Sequence, residues 1–184
     1  MRTFLLLLGL LTACAKRPHS TSVLSAAPPT SPVCPVQVVP SPPRFSSSDS
    51  QQAVQEFDQS LDTAYVVLYS RQVGGFSGRN RCLLVHQRSA THFLVYRYGT
   101  QRIYSAQVTD TTWHRSLTQL AATPGHLVSL CFRATDTSIE YLVVKHQRKV
   151  VFSLTWETNG RGRLPVAEEA RLAPALALMR RFRD

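Results

Sequence analysis

Five histidines, His86, His92, His114, His126 and His146, are the side chains best suited to proton transfer or metal binding, and their spacing is the first test of chemistry. None forms HxH or HExxH, and no carboxylate cluster accompanies them, so no metal site is expected. His86 and His92 can approach each other across a hairpin, although two half-exposed strand residues would look the same. Gly75-Phe76-Ser77-Gly78 has the start of a G-x-S-x-G nucleophile elbow, but Arg79 stands at the fifth position and a strand-like run follows instead of a helix. That stretch reads as a hairpin loop. Among the acids, Asp110 and Glu168 sit where helices start, Asp136 falls in a turn, and Glu140 and Glu157 lie on strand-like runs. No two of them stand out as a glycosidase pair. Walker and dinucleotide glycine motifs are absent, and no cofactor is expected.

The most specific chemistry is at the other end of the chain. The apolar run over residues 4–13 is about half of the roughly 20 residues a helix needs to cross a hydrocarbon core. With Arg2 before it and the small residues Thr12 and Ala13 at its end, it has the layout of a secretory leader cut before Cys14. Leu11-Thr12-Ala13-Cys14 resembles the lipobox of bacterial lipoprotein precursors at all four positions. The resemblance, which covers the leader only, implies that the Cys14 thiol receives a diacylglyceryl group and that the new amino terminus is acylated, with chains such as palmitate. Each buried methylene contributes about 0.8 kcal/mol, so two or more chains hold a domain on a bilayer where one does so only marginally. Ala15, where an Asp would signal retention in the inner membrane, points by the same analogy to the outer membrane of a two-membrane cell.

Export permits disulfides. With Cys14 assigned to lipid, Cys82 and Cys131 fall inside expected strands and are the pair that could bridge; the alternative is two unpaired cysteines buried as small hydrophobes. Cys34 lies in a proline-rich stretch and is expected to be a leftover thiol. No CxxC spacing suggests zinc or redox chemistry.

The formal net charge is +10, from 21 Lys and Arg against 11 Asp and Glu, and arginine dominates. In the envelope such a balance points to anionic lipid, lipopolysaccharide phosphate or an envelope protein as partner, with no nucleic acid expected. Arg79 and Arg81 flank the glycine loop, and Arg161 and Arg163 lie in NGRGR; these four are the candidate anion-binding residues. An ordinary solvated basic surface would have the same composition.

The elements that must position these side chains follow from local patterning. Residues 1–13 form the leader. Residues 14–48 contain eight of the eleven prolines and read as an acylated cysteine followed by a Pro/Ser-rich, extended tether. Residues 49–184 are enough for one domain with its own core. Ser48-Asp49 can cap a helix to about residue 61. Four strand-like runs follow, 64–70, 81–88, 92–98 and 102–109. Asp110 then caps a second helix that stops at Pro124-Gly125. Three more strands are expected over 126–134, 138–146 and 149–156, with a turn at Gln147-Arg148, and a last helix over 168–182 contains Pro174.

The expected fold is α+β, a single domain with a largely antiparallel sheet of about seven strands and helices packed over one face. A β-sandwich or small barrel with accessory helices is the alternative. The expected function is a membrane-anchored envelope lipoprotein with a non-catalytic binding domain. The rival is an envelope hydrolase with a dispersed active site, such as His86 or His92 with Ser77.

Overall fold

The computed structural model describes residues 33–42, 51–73, 80–98, 103–130, 138–157 and 164–184. The chain divides into two compact units, Met1–Thr30 and Ser31–Asp184, and every described residue belongs to the second. That unit is an α+β domain, with eight strands and three helices among its described residues. In chain order these are β1 (Gln37–Val38), α1 (Gln51–Gln59), β2 (Val66–Val73), β3 (Arg81–Gln87), β4 (His92–Tyr98), β5 (Ile103–Thr109), α2 (Thr111–Ala122), β6 (Gly125–Ser129), β7 (Ser138–His146), β8 (Lys149–Glu157) and α3 (Val166–Arg183). All strands join one sheet in the order β1-β6-β8-β7-β2-β3-β4-β5. Every pairing is antiparallel except β6 with β8. One sheet rather than two replaces the sandwich alternative.

Residues alternate between the two faces, and both faces of the central strands are apolar. On β2, Val67 and Tyr69 point to one core while Val66 and Leu68 point to the other; on β3, Leu83 and Val85 alternate likewise with Cys82 and Leu84. The larger core lies under α2 and α3, which contribute Trp113, Leu117 and Leu120 and Leu172, Ala175, Leu178, Met179 and Phe182. Its centre is aromatic and filled: the Trp113 ring lies 5.0 Å from both Phe93 and Phe182, and Tyr69 lies 5.6 Å from Phe182. The smaller core lies under α1, through Ala53 and Phe57. Helices therefore cover both faces, which corrects the expectation of one. Because β2 and β3 carry apolar residues at consecutive positions, each face needs its own cover.

Local signals set several boundaries. The Asp110 carboxylate accepts from the amides of Thr112 at 2.7 Å and Trp113 at 3.3 Å, as an N-cap should. Gln147 and Arg148 both have positive φ, 49° and 65°, the geometry of a two-residue turn whose twist suits the β7–β8 hairpin. α3 runs through Pro174 as one helix, and its first-turn Glu168 and Glu169 and last-turn arginines match the helix dipole.

The amino-terminal boundary differs from the expected one. Residues 33–42 were expected within the tether, yet β1 pairs antiparallel with β6, Gln37 opposite Val128 and Val38 opposite Leu127, and Val36 packs against the larger core. Cys34 is buried, with 3% of its surface exposed, and is disulfide-bonded, not a leftover thiol. Cys82 is a free, buried thiol, so of the two readings the possible Cys82–Cys131 bridge does not form. Cys82 lies on the α1 side of the sheet among apolar neighbours, and burial pushes its thiol up to about 12.

Candidate functional site

The site is built where the carboxyl end of α1 meets β3 and β4. Phe57 and Ala53, one helical turn apart, plug into Val66, Leu68, Leu84 and Val143 and orient the helix. The end of α1 is held by Lys145, whose ammonium donates to the carbonyl of Phe57 and to that of Asp58 at 3.2 Å and lies 4.5 Å from the Phe57 ring. A cation on terminal carbonyls complements the helix dipole. Burial draws the Lys145 pKa down, and Asp58 partly offsets it. Beyond the helix the chain is fastened again: Arg148 Nε donates to the Leu61 carbonyl at 3.1 Å, and the Gln147 amide donates to Thr63 at 3.1 Å.

The loop so held presents Asp62 to His86. Asp62 Oδ2 lies 2.6 Å from His86 Nδ1. His86 is on the α1 side of β3 because it stands opposite Val66 on β2 and Leu94 on β4. Tyr96, on the same side, meets the His86 ring edge-on at 5.8 Å. Nearby, Tyr98 donates its hydroxyl to Glu56 Oε2 and Gln52 Nε2 donates to Glu56 Oε1 at 3.0 Å. Burial first, and then the Glu56 carboxylate, raises the Tyr98 pKa, so the phenol remains a donor. Glu56, Ser60, Asp62, His86, Arg88 and Tyr96 line an open cleft of about 370 Å³.

A carboxylate oxygen accepts, so with Nδ1–H donating to Asp62 a neutral His86 ring presents Nε2 as its acceptor. An imidazole oriented in this way is the base-and-orienter half of a catalytic triad, and equally a polar anchor for a ligand. Ser60 lines the same cleft, but its oxygen accepts from the Asp62 amide at 3.4 Å. Among the described residues no hydroxyl is hydrogen-bonded to the His86 ring. The cleft presents one guanidinium, two carboxylates and an aromatic ring to solvent.

The other described histidines are used locally. His92 Nδ1 meets Ser89 Oγ and Thr91 Oγ1, each at 3.0 Å; His114 meets Gln87 at 2.8 Å; His126 meets Ser153 at 3.0 Å; and His146 stacks on Tyr65 at 4.2 Å. Among the described residues no group of three or more His, Cys, Asp or Glu is placed to hold a metal ion.

Of the four candidate anion-binding arginines, Arg81 is committed elsewhere. Its Nη1 donates to the carbonyls of Phe182, at 3.1 Å, and of Arg183, capping the end of α3. Arg79, Arg161 and Arg163 lie outside the described residues, as do Ser77, Cys14 and Cys131. Two further arginines serve the buried Glu140, which has no exposed surface: Arg183 Nη2 lies 2.8 Å from Glu140 Oε1 and Arg71 Nε 3.7 Å from it. Burial weighs against the Arg183 charge, but Glu140 and the Tyr69 hydroxyl more than offset it and raise its pKa. Glu140 and Glu157 are not a carboxylate pair: Glu157 stands opposite Ile139, so it faces the other side of the sheet from Glu140.

Sequence reasoning singled out His86 and missed Asp62 and Glu56. The available signal was three acids, Glu56, Asp58 and Asp62, in and just after the first helix. Comparison with protein-family models, with curated proteins and with solved structures finds no match to this chain.

Proposed function

We propose that this chain is a bacterial cell-envelope lipoprotein, held at the membrane by lipid on Cys14, whose α+β domain is a non-catalytic binding module. The observation that carries the reading is the disulfide at Cys34. A bridged cysteine buried in a domain belongs to an oxidising compartment, which is where the leader directs the chain. The net charge of +10 supports an anionic envelope component as ligand, an anionic lipid or lipopolysaccharide phosphate. Arg79, Arg161 and Arg163 remain its candidate contacts, and Arg81 is withdrawn because it caps α3. The outer membrane is the proposed destination in a cell with two membranes.

The anchor is tested by the mass of the mature amino terminus: it should begin at Cys14 and carry acyl chains. Retention of residues 1–13, or an unmodified Cys14, rejects it. Binding is tested by sedimentation with vesicles of anionic or zwitterionic lipid across a salt series. Capture by the anionic vesicles should weaken with salt and with Arg79→Ala and Arg161→Ala. Equal capture by both vesicle types rejects an anionic ligand.

The His86–Asp62 pair favours a second reading, an envelope hydrolase that recruits a hydroxyl or water at His86 Nε2. Turnover of an ester or cell-wall substrate that vanishes with His86→Ala, while the fold survives by circular dichroism, would promote it.

A further inference from the structure

β5 is the last strand of the sheet, and among the described residues no strand lies beyond it. Edges are normally blunted by charge, proline, a bulge or shortness. β1, at the opposite edge, is two residues long between Pro35 and Pro40. β5 has none of these devices. Its seven residues, IYSAQVT, hold no charge and no proline in a chain with 21 Lys and Arg and 11 Asp and Glu. No register shift interrupts its pairing with β4, and Tyr104, Ser105, Ala106 and Gln107 are all exposed. We propose that β5 is a self-association edge, which pairs antiparallel with β5 of a second copy of this chain and joins the two sheets.

The register sets which groups face outward. The Asp110 amide donates to the Thr91 carbonyl at 2.9 Å, which makes 110 with 91 a hydrogen-bonded pair. Antiparallel pairs alternate, so Val108 with Phe93, Ala106 with Val95 and Tyr104 with Arg97 are of the same kind. The next strand agrees: the Arg88 amide donates to the His92 carbonyl at 2.8 Å, so His92, Leu94 and Tyr96 turn their backbone groups to β3 and not to β5. Ile103, Ser105, Gln107 and Thr109 therefore turn their N–H and C=O groups away from β4, a row of donors and acceptors at strand spacing.

Self-complementarity selects the occupant. A twofold axis at Ala106 puts Ser105 opposite Gln107 of the second copy and Ile103 opposite its Thr109, so every outward residue of β5 gains a hydrogen-bonded partner. The axis falls on a non-hydrogen-bonded pair, where side chains approach most closely, and Ala106 is the smallest side chain of the strand. On the same face Tyr104, 59% exposed, meets Val108 of the second copy, an aromatic side chain on a β-branched one. No like charges oppose each other, because β5 carries none. An axis moved to Ser105 or to Gln107 leaves Thr109 or Ile103 without a partner in the strand. Twofold pairing uses up the edge in both copies, so association closes at a dimer.

A single short ladder lies at the small end of specific interfaces, so a Kd on the order of 100 μM is expected. The test is sedimentation equilibrium of the purified full chain in density-matched detergent, from well below to well above that value, a readout that does not depend on whether Cys14 carries lipid. The chain should pass from monomer to dimer. Ala106→Lys places two ammonium groups at the axis, and Gln107→Pro removes an outward donor while sparing the bonds to β4. Each should weaken the dimer by tenfold or more with the circular dichroism spectrum unchanged, and mixing Ala106→Lys with Ala106→Glu should restore it. In intact cells a photo-crosslinker at position 106 should capture a second copy. A monomer at every concentration, a dimer indifferent to Ala106→Lys and Gln107→Pro, or capture of a different protein at position 106 overturns the proposal.

Discussion

Asp110 shows how one side chain can be both locally encoded and testable. Burial opposes its ionisation, but the Thr112 hydroxyl, the amides of Thr112 and Trp113, and the Arg181 charge more than offset it, so its pKa is lowered. A carboxylate depressed in the folded state adds stability above its unfolded pKa of about 3.9, and that stability is lost as pH falls through the lower folded value. Asp110→Ala should cost about 1 kcal/mol in urea unfolding at pH 7. Asp110→Asn should retain most of the cap and flatten the acid limb below about pH 4. Glu140 is the opposite kind of residue, since its role is invisible in local sequence. Its fully buried carboxylate joins Arg183 on α3 to Arg71 on β2. Glu140→Gln keeps the volume but removes the charge, and should destabilise by roughly 2 kcal/mol, below the figure for fully buried pairs because both guanidiniums are about a third exposed.

At the scale of elements, two helices end on basic side chains delivered by strands: α1 on Lys145 from β7 and α3 on Arg81 from β3. Part of the arginine and lysine content that read as a ligand surface is therefore structural. Lys145→Met should keep the packing of the stem against Phe57 but leave terminal carbonyls without their donor. Loss of about 1–3 kcal/mol is expected in chemical denaturation. Because Asp62 follows that helix end, the His86 resonances should also shift in the NMR spectrum of this variant. β1 is the weakest element, two residues on the sheet edge. Cys34, just before it, is disulfide-bonded, so Cys34→Ser, or reduction of the native protein, should lower stability by roughly 2–5 kcal/mol. The same change uncovers the edge of β6, and self-association by light scattering should rise.

For the whole molecule, the proposed lipid anchor makes the plainest prediction. Cys14→Ser should move the protein from the membrane fraction to the soluble fraction of lysed cells, with the domain still folded by circular dichroism; a protein still in the membrane fraction rejects a lipid-only attachment. How the domain reads against its sequence depends on whether the deciding interactions are local. β4 and β7 match their expected spans to the residue, and the Asp110 cap and the Gln147-Arg148 turn stand where expected, since caps, turns and apolar runs are written within a few consecutive residues. The α+β class followed from the order of those elements. β1 was hidden among prolines because a two-residue strand is defined by its partner and not by its own pattern. The strand order, the parallel β6–β8 pairing and the face taken by α1 belong to the same non-local class. The site divides in the same way: His86 was visible as a titratable strand residue, whereas Asp62, 24 positions away, becomes its partner only once α1 and the β7–β8 turn hold the intervening loop against β3. By itself the sequence determined the charge balance, the caps and most of the strands, each set by neighbours along the chain. Only the tertiary structure decided which cysteine is bridged, which arginines are spent on helix ends and which acid meets the histidine, because those outcomes rest on distances between residues that chain order leaves free.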